Sequence, residues 1–486
     1  MIHVSDRLQV FISNLAAQVM RILGSLILVR CLGPAAFGKV DLVAAVAGLV
    51  AGVGDFGLRR FLVQNRDWPE EELRDTLVVL LFGSGVVLLL LNVGAGFYVA
   101  QIENNVMYFW IGAGLGLTAL LSAVHDTQLA CMSRRLAFRA EVKQQTIVAV
   151  AQFCSGVGFA LAGFGAFSLI LQAVVAQVVA NISIQWFEPL RWPRHFNRAI
   201  ARSCLRPGLH MGLAYYLTSV VLPLQRLFVV RIGGEEILGI FGRLVALKEL
   251  VNFNVIQAFE RLIFPLFSQN QHDVIRLREL FLRGSSALTV IVVFCGWGLV
   301  TTSPELVLFL GGPAWQHDPR VLPALCLPLL LNAGAGWVAM YLGLALGRSN
   351  LWSLYGVVVI VGNLIAGVIA LQMDLASMAL LFGVAQLAAW AVVIGWVLRK
   401  LQMTPWPLVR RLTPAVLIGL ASGGFTLLVK TQLLQFGTNW QRLILTGTLF
   451  SAMFILLAWL CDPETVAEVR RMIRRKPLES PPTTET

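Results

Sequence analysis

The chain has 486 residues, of which 57% are apolar and only 13% charged, with a net charge of +12 and a mean hydropathy of +0.76. Soluble domains carry roughly 25% charged residues, and a single water-soluble core does not grow to this length with so little polar surface. This composition disfavours a soluble enzyme, a nucleic-acid binder and a disordered scaffold, and predicts an all-α integral membrane protein.

Apolar stretches long enough for a bilayer core of about 30 Å fall near 8–32, 40–64, 76–100, 106–130, 144–163, 166–187, 207–232, 239–264, 284–310, 321–347, 351–372, 375–398, 412–430 and 442–461. They predict about 14 transmembrane helices, with Gly163-Phe164-Gly165 separating the fifth from the sixth. The first stretch is too long for a cleavable signal, and no small-residue cleavage site follows it. With the N-terminus inside, inner segments hold 27 Lys and Arg and outer segments 5. Lys/Arg asymmetry over short loops sets orientation, so both termini are expected in the cytoplasm. The positive net charge is thereby assigned to topology, with no nucleic-acid partner. Seven isolated cysteines without metal-binding spacing read as small core side chains.

No connection is long enough to hold a soluble domain; the longest runs from about Glu188 to Arg206. Lipid-linked glycosyltransferases and ligases generally place their sites on such a domain. The chain has no GxxxxGK[ST], HExxH or GxSxG motif, and its carboxylates are too sparse for a metal cluster. No catalytic constellation, metal site or cofactor is expected. After the last span, Asp462-Pro463-Glu464 resembles a helix start. Val466, Val469, Met472 and Ile473 would share one face of an amphipathic helix on the anionic inner leaflet. A solvated basic tail that only fixes topology explains the same residues.

Function must then be sought in polar groups inside the membrane. An ionisable residue at the bilayer centre costs about 2.5–3.5 kcal/mol on insertion scales, so retained ones face a cavity or a partner. They concentrate on spans one, two, seven and eight: Arg21 and Arg30, Asp41 and Asp55, Arg226, then Arg243, Lys248, Glu249 and Glu260. Asn14, Gln18, Arg21 and Ser25 form one polar stripe on the first helix. It places Arg21 about 20 Å along the axis at 1.5 Å per residue, too deep for easy snorkelling. The eighth span is polar over most of its circumference, including Asn252 and Asn254, and needs a hydrated space or polar helices. Lys248 and Glu249 are adjacent and point about 100° apart on a helix, which argues against simple mutual neutralisation. Tyr215, Ser219 and Arg226 share a face of the seventh span. Arg226 can instead snorkel outward, Asp55 can pair with Arg59, and His125 with Asp126 reads as a buried structural pair.

A short internal repeat links these spans. Phe37-Gly38-Lys39-Val40 is echoed by Phe241-Gly242-Arg243-Leu244, each in the outer turn of the first hairpin of a six-helix set. Transporters are commonly built from such repeats, with substrate at their interface. The repeat predicts domains at 1–200 (helices one to six), 201–400 (helices seven to twelve), 401–461 (two further helices) and 462–486 (the basic tail).

Four segments match a known family. Leu32-Gly33-Pro34-Ala35-Ala36-Phe37-Gly38 resembles the LGPxxFG turn of bacterial polysaccharide exporters. Gly54-Asp55-Phe56-Gly57-Leu58 is similar to their second-helix ending. Phe264-Pro265-Leu266-Phe267-Ser268 with Asp273 and Arg276 resembles their FPxLS…D…R segment. Pro304-Glu305-Leu306 through Gly311, with Trp315, resembles their ninth-helix ending. The chain thus resembles the Wzx-type oligosaccharide flippases of the multidrug/oligosaccharidyl-lipid/polysaccharide (MOP) exporter superfamily, which also holds multidrug extruders and lipid II flippases.

The resemblance implies two six-helix bundles around a central V-shaped cavity, plus two C-terminal helices. It also implies movement of a polyprenyl-pyrophosphate-linked oligosaccharide from the inner to the outer leaflet of the bacterial inner membrane, for O-antigen, capsule or exopolysaccharide synthesis. Other members often carry an acidic residue late in helix seven where this chain has Arg226, which removes that residue as a coupling site. The residues suit the same cargo: Arg21, Arg226, Arg243 and Lys248 supply charge for the diphosphate. Asn14, Gln18, Glu249, Asn252 and Tyr215 supply polar or stacking contacts to sugars. Asp55 and Glu249 are candidates for coupling to Na+ or H+. Expected partners are the lipid-linked oligosaccharide, membrane lipids, and polymerase or assembly proteins. The alternatives are an organic-cation exporter of the same fold, which would want a net acidic cavity, and a membrane enzyme of cell-envelope glycan assembly.

Overall fold

The computed structural model describes residues 4–51, 68–135, 137–189, 193, 196–251, 255–316, 318–348, 350–433 and 438–463. Sixteen α-helices run through them, with a 3-10 turn at Pro313–Trp315 and no strand among the described residues. Ten described helices are long and apolar enough to cross a membrane. Two bent pairs, Gln18–Cys31 with Pro34–Val50 (113°) and Val321–Leu331 with Ala333–Ala345 (51°), bring the number to as many as 12. The protein is a multi-pass membrane protein, and the predicted stretches fall mainly on helix over their described residues. The amphipathic tail helix expected after Asp462 falls on residues 464–486, outside those described.

Contacts divide the chain into two compact units. The first comprises residues 1–243 with short returns at 310–317 and 367–373. It contains α1 (Val4–Cys31), α2 (Pro34–Ala51), α3 (Glu70–Ile102), α4 (Met107–Arg134), α5 (Phe138–Leu161), α6 (Phe167–Ile184), α7 (Arg198–Ser219) and α8 (Val221–Val251) as far as Arg243. It therefore keeps residues 201–243, which the repeat assigns to the second bundle.

Within this unit α3 packs along α4, α5 along α6 and α1 along α5. Small residues allow the closest approach, as bilayer helices require in the absence of a hydrophobic drive between them. A Cβ on Gly112 would stand 2.5 Å from the Asn92 carbonyl oxygen, and one on Gly96 would stand 2.7 Å from that of Tyr108. The crossing from α6 to α7 is pinned to α3 by Asn197, whose amide donates to Glu72 Oε2 (3.0 Å) and whose backbone N–H donates to Thr76 Oγ1 (3.1 Å). The Asn197 side chain also caps α7, accepting from the Ala199 and Ile200 amides.

Helix α8 is two helices meeting at Gly233 and Gly234. Gly234 has φ +66°, which a residue without Cβ adopts at no steric cost. Pro34 opens α2 at its first helical position, where its missing N–H costs nothing.

The second unit comprises residues 244–309, 318–366 and 374–486. It holds α9 (Gln257–Gln269), α10 (Val274–Gly311, up to Phe309), α11 (Val321–Leu331), α12 (Ala333–Ala345), α13 (Asn350–Ala370, up to Ala366), α14 (Leu375–Lys400), α15 (Trp406–Leu433) and α16 (Asn439–Cys461). Here α14 packs on α11 and α12, α9 on α12, and α15 on α16. Asn332 breaks α11 from α12, and its amide donates to the Leu387 carbonyl at 3.1 Å. Lys430 on α15 docks onto α10 by a buried ion pair to Glu305 (2.6 Å) and a bond to the Thr301 carbonyl (2.8 Å).

Candidate functional site

The first unit brings distant charges together. On α2, Asp41 is 8% exposed, and its Oδ1 stands 3.3 Å from Nη2 of Arg226 on α8. Its Oδ2 is buried with no hydrogen-bond partner, as are the Nε atoms of Arg226 and Arg243. The Arg243 guanidinium lies 4.6 Å from the Phe37 ring centroid, a cation–π contact. Phe37 is held edge-on by Trp315 at 5.4 Å, whose indole N–H donates to the Val29 carbonyl at 2.9 Å. Asp41 and Arg243 line a cavity of about 310 Å³ together with Arg21 and Ser25 of α1, Gln152 of α5 and Gln172 of α6. Arg21, Arg226 and Arg243 against Asp41 leave a surplus of positive charge around it.

The glycines of the repeat make this geometry possible. A Cβ on Gly38 would stand 1.7 Å from the Glu235 carbonyl oxygen, and one on Gly239 2.0 Å from that of Pro34. The start of α2 and the second half of α8 therefore touch backbone to backbone. A Cβ on Gly242 would come within 2.2 Å of Asp41 Oδ2, so the glycine beside Arg243 makes room for the carboxylate. Lys39 Nζ lies 4.0 Å from Glu235 Oε2 along the same contact. The two halves of the repeat thus lean on one another up to Arg243, and this contact seats the charged cluster.

Of the residues predicted from sequence, Arg21, Arg226 and Arg243 gather at this cluster. Gln18 lies exposed one turn before Arg21 on α1. Asn14 and Tyr215 lie on α1 and α7, and their side chains are outside those described. Asp55, Asn252 and Asn254 lie outside the described residues. Lys248 and Glu249 belong to the second unit and correct the expectation drawn from their adjacency. Lys248 Nζ stands 3.3 Å from Glu249 Oε1, because the four-carbon lysine stem swings across the 100° that separates the two Cβ atoms. Arg226 pairs with Asp41 instead of standing alone. His125 Nδ1 lies 3.7 Å from Asp126 Oδ1, and Gln144 bonds the other ring nitrogen at 3.0 Å.

Sequence reasoning missed Asp41 as the centre of the cluster, and it missed Gln152 and Gln172. Asp41 could have been found from the repeat. The residue after Val40 in one copy is the acid, and the third residue of the other copy, Arg243, is a base beside it. No comparable signal marks the glutamines.

Known proteins agree with this architecture. Residues 27–318 match the model of a family described as polysaccharide biosynthesis protein. The amylovoran biosynthesis protein AmsL of Erwinia amylovora is 23% identical over 288 residues, 56% of this chain and 73% of that one. The succinoglycan biosynthesis transport protein ExoT of Rhizobium meliloti is 24% identical over 309 residues, 62% of this chain and 61% of that one. The solved lipid II flippase MurJ, in an inward closed conformation, superposes with a TM-score of 0.70 at 10% identity, covering 94% of this chain and 100% of that one. The fold is like that of the lipid II flippase MurJ, and the chain belongs to the polysaccharide biosynthesis protein family.

Proposed function

We propose that the protein is a flippase, without covalent catalysis, that moves a polyprenyl-pyrophosphate-linked oligosaccharide from the inner to the outer leaflet of the bacterial inner membrane. The observation that carries this reading is the convergence of Arg21 and Arg243 with Asp41, the one carboxylate among the described residues lining this cavity, with Arg226 paired to the same Asp41. Three guanidiniums and one carboxylate leave two formal positive charges, the complement of a diphosphate diester. Guanidiniums bind phosphate oxygens in pairs of parallel N–H bonds and stay charged when desolvated. Without cargo, Asp41 holds Arg226 in place. An arriving diphosphate competes with the carboxylate for Arg226 and Arg243 and takes up the Nε–H donors that Asp41 leaves unused. Arg21, exposed on its helix, makes the first contact.

Alternating access with fourteen crossings and both termini in the cytoplasm, two six-helix bundles and coupling to Na+ or H+ through Asp55 or Glu249 complete the reading. A surface polysaccharide is the expected product, in keeping with the amylovoran and succinoglycan biosynthesis of the relatives. An organic-cation exporter would want an excess of carboxylates at the same place. The test is transport by the full chain in proteoliposomes, offered a fluorescent polyprenyl-diphosphate oligosaccharide or ethidium. Protein-dependent inversion of the lipid supports the reading. Ethidium transport without lipid inversion, or release of a glycosyl product or phosphate, overturns it.

A further inference from the structure

A second cavity of the first unit, of about 510 Å³, adjoins the charged one, and Gln152 lines both. The two follow one another along the same helices. On α2, Val40 and Asp41 face the charged cavity, and Ala44, Ala47 and Gly48 face the second. Steps of three and four residues keep all of them on one face. From Asp41 to Gly48 is about 10 Å along the axis at 1.5 Å per residue.

The second chamber differs in chemistry. Among the described residues no ionisable side chain lines it, and alanines and a glycine leave it open. Its polar atoms come from Asn92, Thr118, Ser122, Gln177 and Ser219, in addition to Gln152. Four of their donors are already spent. The Asn92 amide donates to the Leu88 carbonyl (2.8 Å), Thr118 to Leu115 (2.7 Å), Ser122 to Thr118 (2.8 Å) and Ser219 to Tyr216 (3.1 Å). Each of these oxygens retains lone pairs. Gln177 Oε1 is buried with no partner at all, a cost that a ligand N–H or O–H would remove. The chamber therefore offers hydroxyl and carbonyl acceptors beside carboxamide N–H donors, the complement of groups that both donate and accept.

Such a lining asks for a neutral ligand carrying several O–H groups. A single hard cation would favour carboxylate oxygens, of which there are none among the described lining residues, and would leave most of this volume unfilled. The size falls in the range of small-ligand sites.

We propose that this neutral chamber is a sugar subsite, which receives the first one or two sugar rings of the lipid-linked cargo while the diphosphate sits on Arg21 and Arg243. The proposal rests on the flippase reading and adds where the sugar is read. The axial offset suits a diphosphate followed by one or two rings.

The test uses the full chain in lipid nanodiscs and two probes, polyprenyl diphosphate alone and the same lipid carrying a hexose disaccharide. Wild type is expected to hold the glycosylated lipid more tightly. Gln177→Leu should weaken the glycosylated lipid about fivefold, the worth of one hydrogen bond, and leave the bare diphosphate unchanged. Ser122→Ala provides the same comparison should Gln177→Leu not fold, since that hydroxyl is bonded only within its own helix. Equal losses on both probes, no loss on either, or no wild-type preference for the sugar would overturn the subsite. Arg21→Ala is expected to weaken both probes. If it weakened neither, the diphosphate site would fail while the sugar comparison still stood on its own.

Discussion

The charge lining the cavity of the first unit and the charge lining that of the second are handled in opposite ways, although the first unit holds closed pairs elsewhere, such as Arg74 with Asp75. In the first, Arg21, Arg243 and Asp41 line one cavity and Arg226 pairs with the same Asp41, and several charged atoms there lack hydrogen-bond partners. In the second, Lys430 pairs with Glu305, Lys248 with Glu249, and Arg320 with both Asp318 and Asp374, while away from its cavity Arg276 and Arg283 share Glu279. Its cavity of about 450 Å³ is mainly apolar, and the one ionisable residue lining it, Arg320, already bonds those two carboxylates. A closed pair is a strut, whereas an unequal cluster at a cavity is an unfinished site.

The comparison can be broken or sharpened at five places. Gly38→Ala should be the most damaging, since its methyl meets a backbone carbonyl at 1.7 Å that cannot rotate away. Overpacking of this kind costs about 3 kcal/mol or more, and the thermal midpoint should fall furthest in this variant. Glu305→Gln should cost about 3 kcal/mol by leaving the Lys430 ammonium buried without a counter-charge. Thermal unfolding should show this loss, and binding of polyprenyl diphosphate should not change.

Gly242→Ala, 2.2 Å from Asp41 Oδ2, should cost about 1–3 kcal/mol. Unlike Glu305→Gln, it should also weaken diphosphate binding, because it displaces the carboxylate beside Arg243. Lys248→Met should change stability by less than about 1 kcal/mol, since its partner Glu249 is half exposed and water screens the pair.

The smallest effect belongs to Asp374. Bonds from the Ser377 side chain and amide, with help from Arg320, hold its carboxyl below the usual carboxylate range. A depressed carboxylate contributes stability above its unfolded pKa and loses it as pH falls through the folded one. The stability difference between wild type and Asp374→Asn should thus be level from about pH 5 upward and shrink below about pH 4. Unfolding scans across that range would check it.

Much of the fold was legible because apolar length announces a bilayer helix by itself. Where hydropathy misled, the cause was local geometry. The predicted stretch 321–347 is one apolar run, yet Asn332 bends it by 51°. The stretch 207–232 is divided between α7 and α8 at Val220. A hydropathy window averages through breaks of one residue. The deep arginines were equally legible, since an unpaired guanidinium is costly in lipid wherever it stands.

Their partners were not legible. Asp41 and Arg226 are far apart in the sequence, and only the crossing of α2 over α8 joins them. The pairing of Lys248 with Glu249 escaped a rule that counts Cβ directions and ignores the reach of the side chain. Gln152 and Gln172 look like any helical glutamine until α5 and α6 turn them toward the cavity.

The central claim is that the cations of the first unit receive a diphosphate and those of the second do not. The most direct measurement is the affinity of the full chain in nanodiscs for bare polyprenyl diphosphate, with Arg243→Ala and Lys248→Met compared side by side. Arg243→Ala should bind at least about tenfold more weakly, as the loss of a charge-assisted hydrogen bond implies, and Lys248→Met should bind as wild type does. Wild-type affinity in Arg243→Ala, or an equal loss in Lys248→Met, would contradict the account.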